Sequence, residues 1–340
     1  MAKLSILKRI DSGEWACLIP MRTARQKQLA VSPAQRKGMA FWSIAVGITL
    51  VFSTLLMIEA SAHAGDPDSE KFSEETAQHV AERRKKIKRE IEQLADHPWA
   101  GEYYAGDGTA VNIYLWLAPE SGFVFEWHGC LGLYDINHGT IGFDGKTIHL
   151  DFKHPNEREG FQGLAEALIP IEWGDRRYLV PPDEMGEFAN DVNACLETRQ
   201  GSRGGHLLRR GDHELKASGY PILPEEFAAY LLEDPIDATI TDVVSVKEWT
   251  NSLGWNIKEV TVDLDVGQQN GLFPGMRFYV YSPEYISHWL TVSELSEDTA
   301  HAVVTQTVEE DLDEVDPQPG WRLTTEHPWF CGDETTETAY

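Results

Sequence analysis

The chain has 340 residues, of which 29 are lysine or arginine and 55 are aspartate or glutamate, so its formal net charge at pH 7 is −26. A surface this acidic repels phosphate backbones, which excludes nucleic acid as an expected partner. Four cysteines are too few for a disulfide scaffold, so we expect the stability to come mainly from a hydrophobic core.

The first 64 residues have the pattern of an export signal. Eight basic residues come before the run 40–58, AFWSIAVGITLVFSTLLMI, which carries no charge. Small residues follow it, and their spacing predicts cleavage between Ala64 and Gly65. The run is also long enough to span a bilayer, so a retained membrane anchor at 40–58 stays open. Both alternatives place residues 65–340 outside the cytoplasm, either periplasmic, secreted or anchored, because the basic end stays inside.

The predicted exported part is more acidic than the whole chain. Residues 65–340 contain 21 basic and 52 acidic residues, a net charge of −31. Anionic headgroups are repelled as well, so we expect membrane contact only through the N-terminal segment. Three cysteines remain in this part, and their pairing stays open: Cys130, Cys195 and Cys331. Cys195 falls on the apolar face of a predicted helix, which favours a buried thiol.

Residues 65–96 are predicted to form a connecting helix. Val80, Ile87, Ile91 and Leu94 recur at helical spacing, and acidic residues are concentrated in the first turns. The apolar stripe is narrow, which favours a strap across a domain. A self-associating coil is the alternative.

Residues 97–220 are predicted to form a domain built on an antiparallel sheet. Short β-rich runs at 111–117, 123–127, 147–152 and 177–180 are separated by turn residues, which is typical of an antiparallel meander. Helical patterns are predicted at 161–168 and 183–196.

Residues 221–340 are predicted to form an acidic β-barrel-like domain. This part holds 24 acidic against 4 basic residues. A short helix at 224–232 precedes five β-rich runs, which favour a small barrel: 238–246, 259–264, 277–281, 289–294 and 301–308. The predicted fold class is therefore α+β, an antiparallel β-meander domain with short helices followed by a small β-barrel-like domain.

Two stretches resemble known groups of proteins. WAGEYYAGDG at 99–108, with LAPESGF at 117–123 and GCLGLYD at 129–135, resembles uncharacterised exported bacterial proteins over about residues 97–200. That resemblance implies an extracytoplasmic compartment and a β architecture, and it implies no activity.

The second stretch is GQQNGLFPGM at 267–276. It resembles the glycine-rich turn of small β-barrels in envelope scaffold proteins, including rod-shape-determining and flagellar-basal-body families. Gly271 and Gly275 permit positive φ in a tight reversal, and Pro274 stiffens it. The resemblance implies a module that packs against neighbours rather than one that catalyses.

The meander carries the candidate chemistry. Carboxylates and imidazoles could supply the acid and base of a hydrolase, and these candidates are Glu126, His128, Asp135 and His138. Indole rings could stack on a sugar or another small ligand, and these are Trp116, Trp127 and Trp173.

A metal pair is the other candidate in the meander. His149 and Asp151 are two residues apart on a predicted strand and therefore share a face, where they could offer a nitrogen and an oxygen ligand. Histidines in such positions more often face solvent or bond to carbonyl groups. We therefore expect no metal and no other cofactor.

The motifs of common enzyme classes are missing from the sequence. It has no Gly-x-Ser-x-Gly elbow and no phosphate-binding Gly-Lys-Ser/Thr loop. We therefore predict a non-catalytic binding or scaffold protein of the cell envelope, which meets an envelope protein or a small ligand. The alternative is a secreted hydrolase acting on a glycan or ester. A third interpretation makes the barrel an oligomerisation module for identical chains.

Overall fold

The computed structural model describes residues 71–106, 111–129, 132–156, 163–196, 206–251, 254–282, 289–308 and 316–328. The predicted leader, the run 40–58, the Ala64–Gly65 cleavage site, Cys130 and Cys331 lie outside these ranges. Residues 71–82 belong to a separate compact unit from residues 83–328. Among the helices in the described ranges, none is long and apolar enough to cross a membrane.

One long helix, α1, runs over Glu74–Leu94. It begins after Ser73, whose Oγ accepts a hydrogen bond from the backbone N–H of Thr76 at 3.1 Å. This is the side-chain cap that satisfies a free donor of the first turn. The helix ends before Ala95, which adopts a left-handed conformation with φ 51°.

The first sheet is an antiparallel barrel whose strands pair in chain order. The last strand returns to the first, with Tyr103 opposite Arg209 and Tyr104 opposite Leu208. The predicted meander therefore closes on itself. Its strands are β1 Gly101–Gly106, β2 Val111–Ala118, β3 Gly122–Gly129, β4 Gly132–Phe143, β5 Ile148–Phe152, β6 Ala167–Trp173, β7 Arg176–Val180 and β8 Leu207–Arg209.

Large aromatic side chains fill this first barrel. Tyr103, Phe123, Phe125 and Trp127 are all buried in one cluster. On β3, Phe123, Phe125 and Trp127 alternate with residues on the outer face, as the twofold period of a strand requires. This alternation decides which side chains of β3 point into the barrel and which point outward.

The helix predicted at 161–168 is wrong. Ala167 begins strand β6, and Leu168, Ile169 and Ile171 are buried in it. A short apolar run can form a buried strand as well as a helix, and the run ALIPIEW forms a strand. Pro170 is accommodated opposite Leu179 on β7.

A second helix, α2, runs over Met185–Asn193 after a 3-10 turn at Pro182–Glu184. Met185, Phe188 and Val192 pack on strands β6 and β7. Two further 3-10 turns lie at Asp212–Glu214 and Glu225–Tyr230, so the helix predicted at 224–232 is a 3-10 segment.

The prediction of a buried thiol at Cys195 is wrong. The helix ends two residues earlier, and Cys195 is exposed with φ 54°. Its sulfur is bonded in a disulfide, whose partner lies outside the described residues.

The second sheet is also a closed antiparallel barrel, in the strand order β10-β13-β12-β11-β14-β9. Its core is mainly aliphatic. Gly271 and Gly275 have φ 87° and 89°, which confirms the predicted reversal. The structure confirms the prediction of a β-rich chain with antiparallel sheets and few short helices. The strands are β9 Asp237–Thr250, β10 Asn256–Leu264, β11 Arg277–Ser282, β12 Trp289–Leu295, β13 Ala300–Thr307 and β14 Arg322–Thr324.

Helix α2 joins the two barrels. The Asn190 amide donates to the Gly275 carbonyl at 2.8 Å and accepts from the Arg277 backbone N–H at 3.1 Å. Tyr230 stacks on Phe273 with ring centroids 4.3 Å apart. The junction is therefore fixed by directed bonds and by packing.

Buried charges lie at the same junction. Arg277 Nη1 is 3.3 Å from Asp191 Oδ1, and Arg277 Nη2 binds the Glu187 carboxylate. The Arg277 guanidinium also lies 4.8 Å from the ring centroid of Trp289. Burial raises the pKa of Asp191 to about 7. The contact with Arg277 opposes this shift, but the guanidinium is shared with Glu187, so burial dominates.

Candidate functional site

The four predicted acid–base residues do not converge. Glu126 and His128 lie on the outer face of β3. Asp135 is fully buried and is opposite Trp127, whose side chain fills the barrel. His138 is 5% exposed, and its ring lies 5.5 Å from that of His154. The four side chains therefore do not form a single catalytic centre.

Glu126 and His128 do form a pair. Glu126 Oε2 is 3.1 Å from His128 Nε2, and Glu126 Oε1 is 2.8 Å from Arg84 Nη1 on α1. The Arg84 guanidinium lies 4.9 Å from the ring centroid of Trp116. Both carboxylate oxygens are thus engaged, and the pair helps to hold α1 on the barrel.

Replacing Arg84 by alanine is expected to lower the free energy of unfolding by about 1 kcal/mol, because it removes a partly exposed ion pair and a cation–π contact. Chemical denaturation measures the change. Lys85→Ala, at a neighbouring exposed position on the same helix, is the matched control and is expected to change little. Equal losses in the two variants would contradict this role for Arg84.

The three predicted tryptophans are buried. Trp116, Trp127 and Trp173 are 4%, 2% and 6% exposed. Trp127 lies in the barrel core, and Trp173 donates from Nε1 to the Gly219 carbonyl at 2.7 Å. Because a sugar needs an open ring face, their placement favours packing over stacking on a ligand.

The side chains of His149 and Asp151 contact different residues. His149 Nε2 is 3.1 Å from Asp144 Oδ2, and Asp151 accepts from the Thr140 hydroxyl at 3.2 Å. Backbone N–H groups of Thr147 and Lys146 lower the pKa of Asp144 to about 2. Within the described part of the chain, no three histidine, cysteine or acidic side chains are grouped to hold a metal ion.

The first barrel has a shallow polar depression of about 320 Å³, lined by Asp96, Pro98, Glu172, Gly174, Asp175 and Arg177. Arg177 is 2.7 Å from Asp96 and 3.1 Å from Asp212, so its charge is already compensated. None of the predicted catalytic or ligand-binding residues lines this depression.

The most exposed apolar side chains of the second barrel lie on β9. Val244, Val246 and Trp249 are 49%, 52% and 41% exposed, and Val246 and Trp249 lie on opposite faces of the strand. Strand β14 covers only Asp237 to Thr239, whereas β10 pairs with β9 as far as Thr250. From Thr241 onward, β9 is therefore paired with β10 alone among the described strands, and we call these two strands the β9–β10 hairpin.

One edge of this hairpin has no partner strand among the residues that the structure describes. The Ile240 backbone still bonds to Gly320 and Trp321. From Thr241 to Thr250, no described residue pairs with the edge of β9 that faces away from β10. Free N–H and C=O groups on such an edge can accept another strand.

The hairpin is less acidic than the rest of the second barrel. Lys247 Nζ is 2.9 Å from Glu259 Oε1 across the two strands, and Lys258 Nζ is 2.6 Å from Asp316 Oδ2. Residues 241–260 hold two basic and three acidic residues, whereas residues 221–340 hold 24 acidic and 4 basic residues. Electrostatic repulsion is therefore weaker here than over residues 221–340 as a whole.

Sequence reasoning missed this surface because it ended the strand at Val246 and began the next at Glu259. The signal was present in TDVVSVKEWT, residues 241–250, where six of ten residues are β-branched or aromatic and proline is absent. No protein-family model, curated protein or solved structure matches this chain, so its function has to be inferred from its own residues.

Proposed function

We propose that this protein is an exported envelope protein that binds a partner protein without catalysing a reaction, and that the β9–β10 hairpin is its binding surface. The observation that supports the proposal is the exposure of Val244, Val246 and Trp249 on a strand whose outer edge no described residue pairs with from Thr241 to Thr250. Adding a strand to an exposed edge is a common mode of protein recognition, in which backbone bonds give affinity.

The arrangement of the polar candidates also supports binding. An enzyme needs its acid and base to converge in a concave site. In the described residues Asp135 faces the barrel interior opposite Trp127, His138 is only 5% exposed, and the shallow depression contains none of the four residues. Binding through the hairpin requires no such convergence.

Site-specific photo-crosslinking tests the proposal. A photoreactive phenylalanine analogue placed at Val246 of the full chain, in a bacterium that exports it, is expected to give a light-dependent adduct of higher mass. Leu215 is the matched control, because it is an apolar residue of the first barrel that is 39% exposed. No adduct at Val246, or the same adducts at both positions, would contradict the proposal.

A hydrolase acting on an envelope glycan or ester is the second candidate, favoured by the 3.1 Å contact between Glu126 and the partly exposed His128. Since Glu126 is also bound to Arg84, we expect no hydrolysis of p-nitrophenyl acetate above the uncatalysed rate. Turnover by the wild type that is lost in His128→Ala, while the fold is retained, would favour the hydrolase instead.

A further inference from the structure

We infer that the partner of the β9–β10 hairpin is a second copy of this chain, whose β9 edge pairs antiparallel with the first to form one continuous sheet. This inference rests on the proposed function and identifies the partner at the same surface. A twofold axis places the same patch on both sides of the interface, which is the commonest arrangement in soluble oligomers.

The free edge is long enough for this pairing. Residues 241–250 span ten positions, about 33 Å at the rise of a strand. On the opposite side, β10 is paired with β13 from Ile257 to Leu264, so the hairpin is backed by a third strand. Such a supported edge is already ordered, which lowers the entropic cost of adding another strand.

The side chains along this edge favour a strand partner. Monomeric proteins commonly protect their sheet edges with proline or unpaired charge. Residues 241–250 contain no proline, and two of their three charged side chains have contacts within the chain: Lys247 binds Glu259 across the hairpin and Asp242 accepts a hydrogen bond from the Val243 backbone N–H. A bulge at Val244, between the pairs Val243–Val262 and Ser245–Thr261, leaves the strand regular from Ser245 to Thr250.

Charge selects the second copy over a basic partner. A cationic protein would be attracted to the acidic remainder of the barrel rather than to residues 241–260, where two lysines stand against three acidic residues. Two copies of a strongly acidic chain repel each other over most of their surfaces. They can approach most closely where the net charge is smallest and apolar side chains are exposed.

Light scattering coupled to size-exclusion chromatography tests the inference on the purified full chain over a concentration series. We expect twice the mass of one chain, with tighter association at higher salt because screening weakens the repulsion. Val246→Glu adds a like charge at the interface and is expected to weaken association at least about tenfold. Leu215→Glu is the control, and circular dichroism checks that both variants keep the β fold.

The outcomes separate the two claims. A mass of one chain at every concentration, or an unchanged dimer in Val246→Glu, overturns the pairing of two copies. If the chain is then monomeric but the Val246 photo-crosslink still joins it to a different protein, the proposed binding function stands while the identity of the partner is wrong. If neither a dimer nor a crosslink forms, both are wrong.

Discussion

Replacing Arg277 by methionine is expected to lower the free energy of unfolding by about 2 kcal/mol at pH 8. The guanidinium lies between Glu187 and Asp191 on α2, and Asp191 is only 8% exposed. Removing the cation leaves the buried Asp191 carboxylate without its counter-charge, and because the pKa of Asp191 is already about 7, uptake of a proton limits the cost at pH 8. Urea denaturation at constant salt measures the loss.

A double-mutant cycle separates this effect from lost packing. Asp191→Asn combined with Arg277→Met removes both charges, so the double variant is expected to recover a large part of the loss. The Arg277→Met defect is also expected to shrink at pH 5, where the isolated carboxyl becomes protonated. A loss below about 1 kcal/mol, or no recovery in the double variant, would contradict a charge coupling at the junction.

The pH dependence of stability is the second large expected effect. The pKa of Asp191 is raised by burial to about 7, above its ordinary value of 3.8. The folded protein therefore binds this proton more tightly than the unfolded chain does. Its contribution is fully present below pH 3.8 and is lost as the pH rises through 7, by at most roughly 4 kcal/mol.

Comparison with Asp191→Asn isolates that contribution. The free energy of unfolding of the wild type, minus that of the variant, is expected to fall as the pH is raised from 4 to 8. Burial lowers the pKa of His206 to about 4, so His206 acts in the opposite direction, losing stability as the pH falls below 6.5. It is present in both proteins and cancels in the difference. A difference that is flat or rises with pH would disprove the assignment.

The antiparallel β texture could be predicted because its signals are local. Turn residues and alternating side chains locate β2, β3, β5 and β7 close to their observed positions. Closure of the first barrel could not be predicted, since it depends on β8, a strand of three residues that pairs with β1 across more than 100 residues of sequence. Such pairing leaves little trace in composition.

The site was harder to predict than the fold. Strand alternation places Glu126 and His128 on one face, as their spacing of two indicates, but the position of Asp135 inside the barrel depends on a register shift between Trp127 and His128. The exposure of Val246 depends on where β14 stops covering β9. Both are long-range features that the local sequence does not encode.

Amide hydrogen exchange over residues 241–250 tests the central claim most directly, because it reads the free edge of β9 itself. For the full chain at high protein concentration, we expect the amides of this edge to exchange at least about tenfold more slowly than in the Val246→Glu variant, with β10 unchanged in both. Equal exchange of the β9 edge in the two proteins would contradict the pairing of two copies through the hairpin.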